Sequence, residues 1–187
     1  MRLRETEIAE KLAGFLKPGW TVLDIGAGKG LVSLRLKEMA KISPTLTDIK
    51  KYNQTDLPWL EMESITKIPV PDNSFDAVII LFVLHHIKNR SDQEAMIKEA
   101  LRIAKCRVII AEDTAGSSIE RITNSIWDLL LNLPFGIPTP LTFRSKEEWL
   151  KVLDGYKVDT ITYRPVWPVM KTYTHTIFSV EKNALHS

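Results

Sequence analysis

The longest apolar run in the chain, Ala77 to Leu84, is the feature that most constrains the fold. It is far shorter than the roughly 20 residues with which a helix crosses a bilayer. An unbroken apolar run of this length, introduced by Phe75 and Asp76, is typical of a strand that is covered on both faces of a parallel sheet. The run therefore predicts a parallel sheet packed between helices.

Strand patterns alternate with helical patterns along most of the chain. We expect strands over residues 20–26, 45–49, 60–64, 75–84 and 107–112, and helices over residues 4–16, 31–39, 91–103, 119–133 and 145–153. Capping boxes of the form Ser-x-x-Glu mark three helix starts, at Ser91, Ser117 and Ser145. The gap between the last two strand patterns, 157–163 and 175–180, is too short for a parallel crossover, so they should form an antiparallel hairpin. This alternation predicts an α/β fold with a doubly wound sheet.

The composition is that of a soluble globular protein, with 44% hydrophobic and 26% charged residues among 187. We expect a single domain over residues 1–187. The segment MRLRETEIAE lacks the apolar stretch of a secretory signal, and the one cysteine, Cys106, excludes a disulfide framework. We therefore expect a cytoplasmic protein that does not associate with membranes. The net charge of +2 is too even to predict a DNA-binding surface.

A glycine turn, DIGAGKG from Asp24 to Gly30, follows the first predicted strand and opens a predicted helix. In that context a glycine loop brings backbone close to a ligand. The turn does not match the dinucleotide fingerprint, because Leu31 stands where the third glycine is required. The carboxylate of Asp24 would repel a pyrophosphate and attract a ligand that carries positive charge.

The segment VLDIGAGKG resembles the first motif of the class I S-adenosylmethionine-dependent methyltransferases. The segments PDNSFD (71–76) and VLHH (83–86) are similar to the strand that follows in many small-molecule members. The resemblance covers roughly residues 12–180. It implies a Rossmann-like, seven-stranded, mainly parallel sheet with the last strand antiparallel, in a three-layer αβα sandwich. It also implies S-adenosylmethionine as cofactor, which agrees with Asp24 since this cofactor carries an ammonium and a sulfonium but no phosphate.

The resemblance implies a set of cofactor-binding residues. They are Asp24, Gly26, Ala27, Gly28, Gly30, Asp48, Ile49, Glu63, Ser64, Ile65 and Leu81. Asp48 matches the acid with which the family binds both ribose hydroxyls. Its spacing is equally consistent with an acid in a surface turn. Ser64 stands where the family has an acid on the adenine side, so either Glu63 replaces that acid, or Ser64 and the backbone of Ile65 hold the adenine amine. The stretch 49–60 is also too short for the family's usual helix, which predicts a trimmed sheet edge.

The candidate catalytic residues are His85 and His86, at the end of the fourth predicted strand. One of them could take a proton from the acceptor; packing or capping of the following loop is the more favoured reading. Candidate substrate-binding residues are Trp127, Arg164 and Trp167. Residues 114–143 form either an acceptor-side insertion or lid, or part of the ordinary core. The loop that carries Arg164 and Trp167 could bind the acceptor, but a solvated loop without a binding role is an equal alternative. No metal site is expected.

These observations favour an enzyme that transfers a methyl group from S-adenosylmethionine to a small, partly apolar or aromatic molecule, acting as a monomer or homodimer. A non-catalytic, cofactor-binding partner or regulatory subunit of the same fold is the alternative. An RNA or protein methyltransferase is less favoured. The Asn/Asp-Pro-Pro-Tyr motif of base amino-methylases is missing, because Leu81-Phe82-Val83-Leu84 stands in its place.

Overall fold

The computed structural model describes residues 4–114, 120, 122, 126, 142–166 and 174–182. Within these ranges, the helices with both ends defined are α1 (Arg4–Ala13), α2 (Leu31–Ala40), α3 (Arg90–Ile103) and α4 (Lys146–Val152), and a 3₁₀ turn lies at Leu84–His86. The strands are β1 (Thr21–Ile25), β2 (Ser43–Asp48), β3 (Trp59–Glu61), β4 (Phe75–Leu81), β5 (Ala104–Asp113), β6 (Lys157–Tyr163) and β7 (His175–Glu181).

The strands form one seven-stranded sheet in the order β3-β2-β1-β4-β5-β7-β6. Neighbours from β3 to β5 are parallel, whereas β7 is antiparallel to both β5 and β6. This confirms the predicted sheet and the predicted β6–β7 hairpin. The order reverses between β1 and β4, and ligands of doubly wound folds bind outside the carboxyl ends of the strands at such a point.

Alternate residues of the central strands face two helical layers. Leu23 and Val78 belong to a buried cluster with α3 and with Trp149 of α4. Val22 and Ala77, one residue away on the same strands, belong to a second cluster with α1 and α2. Because the central strands are buried on both faces, they show unbroken apolar sequences rather than alternation. The three-layer arrangement follows from this pattern. Among the described residues, no helix is long and apolar enough to cross a membrane.

The fourth strand is shorter than its apolar run predicts. β4 ends at Leu81, because Phe82 adopts a φ of 58° and the chain then makes the 3₁₀ turn at Leu84–His86. A positive φ costs a residue with a side chain on the order of 1–2 kcal/mol, and here the Phe82 N–H still donates to the carbonyl of Ala111 at 2.7 Å. The prediction of a single strand over residues 75–84 is therefore wrong at its end, because the hydrophobic pattern contains no signal for this turn.

Other element boundaries also differ from the patterns. The capping box at Ser145 is confirmed, with Ser145 and Glu148 bonding each other's backbone N–H groups. The one at Ser91 is wrong, because α3 begins one residue earlier and its N-cap, Asn89, donates from its side chain to Asp92 instead. α1 ends at Ala13, where Gly14 follows, rather than at residue 16. The box at Ser117 lies outside the described residues, while residues 120, 122 and 126 are helical. The segment 49–58 holds no helix, which confirms the trimmed edge.

Candidate cofactor and acceptor site

The glycine turn after β1 has a backbone that only glycine adopts easily. Gly26, Gly28 and Gly30 have φ angles of 73°, 52° and 77°. A Cβ atom on Gly26 would lie 2.4 Å from a methyl group of Val83, just after β4. The turn is therefore packed directly against the loop at the end of β4.

Four backbone N–H groups of this turn donate hydrogen bonds within the protein. Those of Gly26 and Ala27 donate to the carbonyl of Thr47, at 2.8 and 3.2 Å, and that of Gly30 donates to Ala27 at 2.9 Å. The N–H of Gly28 donates to Asp48 Oδ2 at 3.0 Å. A phosphate-binding loop presents such groups to its ligand. The geometry therefore disfavours a phosphate ligand here.

Asp24, at the end of β1, is a buried carboxyl that is only half satisfied. Its residue is 2% exposed, and Ser33 of α2 donates to Oδ2 at 2.7 Å. Its Oδ1 is buried and has no hydrogen-bond partner among the described residues. Burial raises the pKa of Asp24 to about 7, the Ser33 hydrogen bond lowers it in part, and the nearby Asp48 adds to the rise. A cation beside Asp24 would therefore stabilise its ionised form.

These residues fit S-adenosylmethionine. A positively charged group beside the unpartnered Oδ1 of Asp24 would satisfy the lone pair and the charge together. Asp48 stands at the end of β2, next to the turn, and is held there by the N–H groups of Gly28 and Ile49, at 3.0 and 2.7 Å. Each Asp48 oxygen accepts one of these bonds, and a carboxylate oxygen has a second lone pair for a hydroxyl.

The predicted adenine side is an open surface. Glu63 and Ser64 are exposed in the loop after β3, where Ser64 forms an isolated bridge with Lys67. Ile65 packs against the buried core, and Ile49 is 59% exposed beyond Asp48. Leu81, half-buried at the end of β4, packs against the α1 side of the core. Their contact with a cofactor stays a prediction.

His85 is held by a carboxylate that sequence reasoning did not assign to it. Its Nδ1 lies 2.7 Å from Glu112 Oε2, and both residues are buried. The other Glu112 oxygen accepts the N–H groups of Val83 and Leu84, at 3.0 and 2.7 Å. Glu112 therefore fixes the whole loop after β4.

The ring of His85 is also packed. It stacks on Phe143 with centroids 5.0 Å apart, and the half-buried His86 ring lies 4.1 Å away. Thr142 Oγ1 donates to the carbonyl of His85 at 2.9 Å. This geometry favours the packing role for His85, while a catalytic role for either histidine stays a prediction.

A second histidine–carboxylate pair was missed altogether. Asp113 at the end of β5 hydrogen-bonds His175 at the start of β7. In the sequence, Glu112 and Asp113 stand out only as two adjacent acids that close the fifth predicted strand. The register of β7 beside β5 brings His175 opposite Asp113, and a sequence read one element at a time contains no signal for it.

The candidate substrate residues are only partly described. The guanidinium of Arg164, just after β6, lies 3.2 Å from the carboxylate of Glu120. An exposed ion pair of this kind contributes little stability. Trp127 and Trp167 lie outside the described residues, as does most of the 114–143 segment.

Known proteins resemble this chain in both sequence and fold. Residues 23–111 match a family model described as a methyltransferase domain. A ubiquinone/menaquinone biosynthesis C-methyltransferase, UbiE, of Rickettsia bellii is 35% identical over an alignment of 101 positions that covers 45% of this chain and 40% of that protein. The chain thus matches about two-fifths of the length of that relative.

Solved structures extend the likeness to nearly the whole chain. An S-adenosylmethionine-dependent methyltransferase from Methanosarcina mazei gives a TM-score of 0.70 at 17% identity, covering 91% of this chain and 96% of that one. A chain from the complex of the Haloferax volcanii Trm112 methyltransferase activator with a methyltransferase gives 0.69 at 16%, covering 97% and 99%. At such identities these likenesses show the fold. Together with the match of residues 23–111 to the methyltransferase-domain family, they show the fold of the S-adenosylmethionine-dependent methyltransferases, whose cofactor is S-adenosylmethionine.

Proposed function

We propose that this protein transfers a methyl group from S-adenosylmethionine to a small, partly apolar or aromatic molecule. The observation that carries the proposal is the half-satisfied carboxyl of Asp24, buried beside a glycine turn in which four backbone N–H groups already donate within the protein. That combination suits a cationic ligand and not a phosphate.

When bound, S-adenosylmethionine supplies an electrophilic methyl group on a sulfonium. In this mechanism Asp24 binds the positive end of the cofactor, and Asp48 binds the ribose hydroxyls from the end of β2. The neighbouring turn at Gly26 and the loop at Val83 pack against each other and exclude water from one side. The protein must also position the acceptor, because an in-line displacement requires the acceptor atom, the methyl carbon and the sulfur to be collinear.

Three observations support a small acceptor. The name of the Rickettsia bellii relative assigns it C-methylation in quinone biosynthesis, and aromatic side chains, Phe82 and Tyr163, lie near the carboxyl ends of the strands. The net charge of +2 does not by itself predict a basic surface for a polyanion. We include residues 114–143 in the proposal as the acceptor-side insertion, and residues 1–187 as one domain.

A non-catalytic role is the second candidate. The likeness to a chain of the Haloferax volcanii complex favours it, because that structure pairs a methyltransferase with an activator protein. Such a protein would bind the cofactor without transferring its methyl group.

Methyl transfer with a labelled cofactor separates the two candidates. The purified protein would be incubated with S-adenosylmethionine carrying a deuterated methyl group and a panel of phenols, hydroxyquinones and quinols, and products would be detected by mass spectrometry. Label in a product supports the enzyme. Calorimetric binding of the cofactor without label in any acceptor, including a metabolite extract, would overturn the enzyme in favour of the partner protein.

A further inference from the structure

A buried polar cluster lies around the second histidine–carboxylate pair, His175 and Asp113. The two residues are 1% and 7% exposed, and they occupy paired positions in the β5–β7 register. Glu112 and Asp113 are consecutive, so their side chains leave β5 on opposite faces of the sheet. The His175 pair therefore lies on the face away from the His85 pair.

The charge of Asp113 determines which nitrogen of His175 carries a proton. Burial alone would raise the pKa of Asp113, but the hydrogen bond to His175 and the nearby His175, His85 and Arg4 outweigh burial and lower it. An ionised carboxylate can only accept hydrogen bonds, so the Nδ1 of His175 is the donor. Nε2 is then the basic nitrogen of the imidazole, as in carboxylate-oriented histidine bases.

Aromatic groups and one unsatisfied hydroxyl surround this imidazole. The rings of Phe82 and Tyr163 meet it edge-on, with centroids 4.7 and 5.3 Å away. The Oη of Tyr163 is buried without a hydrogen-bond partner among the described residues. Burial raises the pKa of Tyr163, Glu7 of α1 and Asp113 add to the rise, and Arg4 opposes it. The phenol therefore stays protonated and can donate a hydrogen bond to a ligand.

Along the sheet, the cluster around His175 and Asp113 lies on the acceptor side of the cofactor site. In the register, Asp24 pairs with Ile79 of β4, which pairs with Ile109 of β5. Asp113 lies on the same face of β5, two pleats beyond Ile109. The loop after β4 joins the two regions, since Val83 meets the Gly26 turn and Phe82 meets His175.

We propose that His175 is the catalytic base of the methyl transfer and that the acceptor is a phenol or enol. This inference rests on the proposed function. Nε2 of His175 takes the proton of the acceptor hydroxyl, and the electron pair on that oxygen, or on a conjugated carbon, forms the new bond to the methyl carbon. The carbon–sulfur bond breaks with its electron pair on sulfur, which gives S-adenosylhomocysteine, and the imidazolium returns the proton to water. Tyr163 donates a hydrogen bond to the acceptor oxygen, and Asp113 is a positioning residue.

Binding of 4-nitrophenol tests the site without turnover, because only its phenolate absorbs visible light. Below its solution pKa, the wild-type protein saturated with S-adenosylhomocysteine should bind the probe and convert it to phenolate. His175→Asn keeps an amide donor for Asp113 but no base, so the phenolate signal should fall at least tenfold while S-adenosylhomocysteine affinity is retained. Tyr163→Phe should weaken binding, whereas Tyr156→Phe, a tyrosine on the other core face, should not.

Several outcomes would overturn the inference. They are failure of the wild-type complex to bind the probe, binding of neutral phenol alone, or an unchanged phenolate signal in His175→Asn. Turnover supplies a second readout: His175→Asn should lose roughly 10²–10⁴-fold on unionised phenols and much less on pre-ionised ones. Asp113→Asn should lower kcat/KM on unionised phenols more than on pre-ionised ones, because the acceptor that keeps Nε2 as the basic nitrogen is lost.

The same experiments distinguish this inference from the proposed function. If the wild-type complex ionises the probe but no phenol is ever methylated, the enzymatic proposal fails and the His175 site stands as a binding site. If methyl transfer proceeds at equal rates in the wild type and His175→Asn on unionised phenols, the activity stands and the assignment of His175 fails.

Discussion

Replacing Asp24 by asparagine should stabilise the protein without its cofactor while impairing cofactor binding. The carboxyl has an ordinary pKa of 3.8, and burial raises it to about 7 in the folded chain. Because the folded state holds this proton more tightly, the free energy of unfolding falls as pH rises from about 4 to about 7, and the loss is complete above 7. Each pKa unit corresponds to about 1.4 kcal/mol, so the full loss is about 4 kcal/mol.

Asparagine cannot ionise, so the Asp24→Asn variant avoids this loss. Its side chain keeps a hydrogen bond to Ser33. Burial of the amide offsets part of the stabilisation, because a buried polar group is costly unless all its hydrogen bonds are made. We expect a stabilisation of about 2–4 kcal/mol at pH 8 that becomes small near pH 4.5. Urea denaturation of both proteins across this range measures it. The difference between them isolates position 24, because other titrating groups are common to both.

Asp159→Asn is the matched control, since it makes the same substitution at an exposed position of β6. It should leave stability nearly unchanged at both pH values. Saturating S-adenosylmethionine should stabilise the wild type far more than the Asp24→Asn variant, because only a carboxylate at this position binds the cation strongly. An Asp24→Asn difference that is absent, or equal at pH 4.5 and pH 8, would refute the reasoning.

Three further substitutions test the other parts of the site. Gly26→Ala should lose about 1–3 kcal/mol more free energy of unfolding in urea than Gly155→Ala does. Both glycines have a positive φ, but only at position 26 does the new Cβ also clash, with Val83. Equal losses would show that Val83 moves aside without cost. Asp48→Ala should weaken cofactor affinity in calorimetry by about 1–3 kcal/mol, through its lost hydrogen bonds, and an unchanged affinity would remove it from the site. Glu112→Ala should cost about 2–3 kcal/mol by leaving two buried N–H groups unpaired. Hydrogen exchange at Leu84 should accelerate in that variant, and full protection would contradict the role of Glu112.

The local parts of the fold and of the cofactor side were accessible from sequence. The turn at Asp24 to Gly30 is a contiguous motif, and its acid argues against phosphate without any coordinates. The β6–β7 hairpin followed from chain length alone, and the Ser145 cap from four adjacent residues. Each of these depends on neighbours in the chain, where spacing and chemistry are sufficient.

Tertiary structure decided what those local patterns could not. The apolar run at 75–84 contains a turn at Phe82, where contacts with β5 and β7 outweigh strand propensity. Glu112 meets His85 across 27 residues of sequence, and Asp113 meets His175 across 62, because strand order and register bring them together. Register depends on packing over the whole sheet, so the acidic pair at the end of β5 could be seen in the sequence but its partners could not. The sequence by itself determined the fold class and the kind of cofactor, while only the folded sheet decided on which face each histidine–carboxylate pair lies, because that depends on which face of β5 each carboxylate occupies.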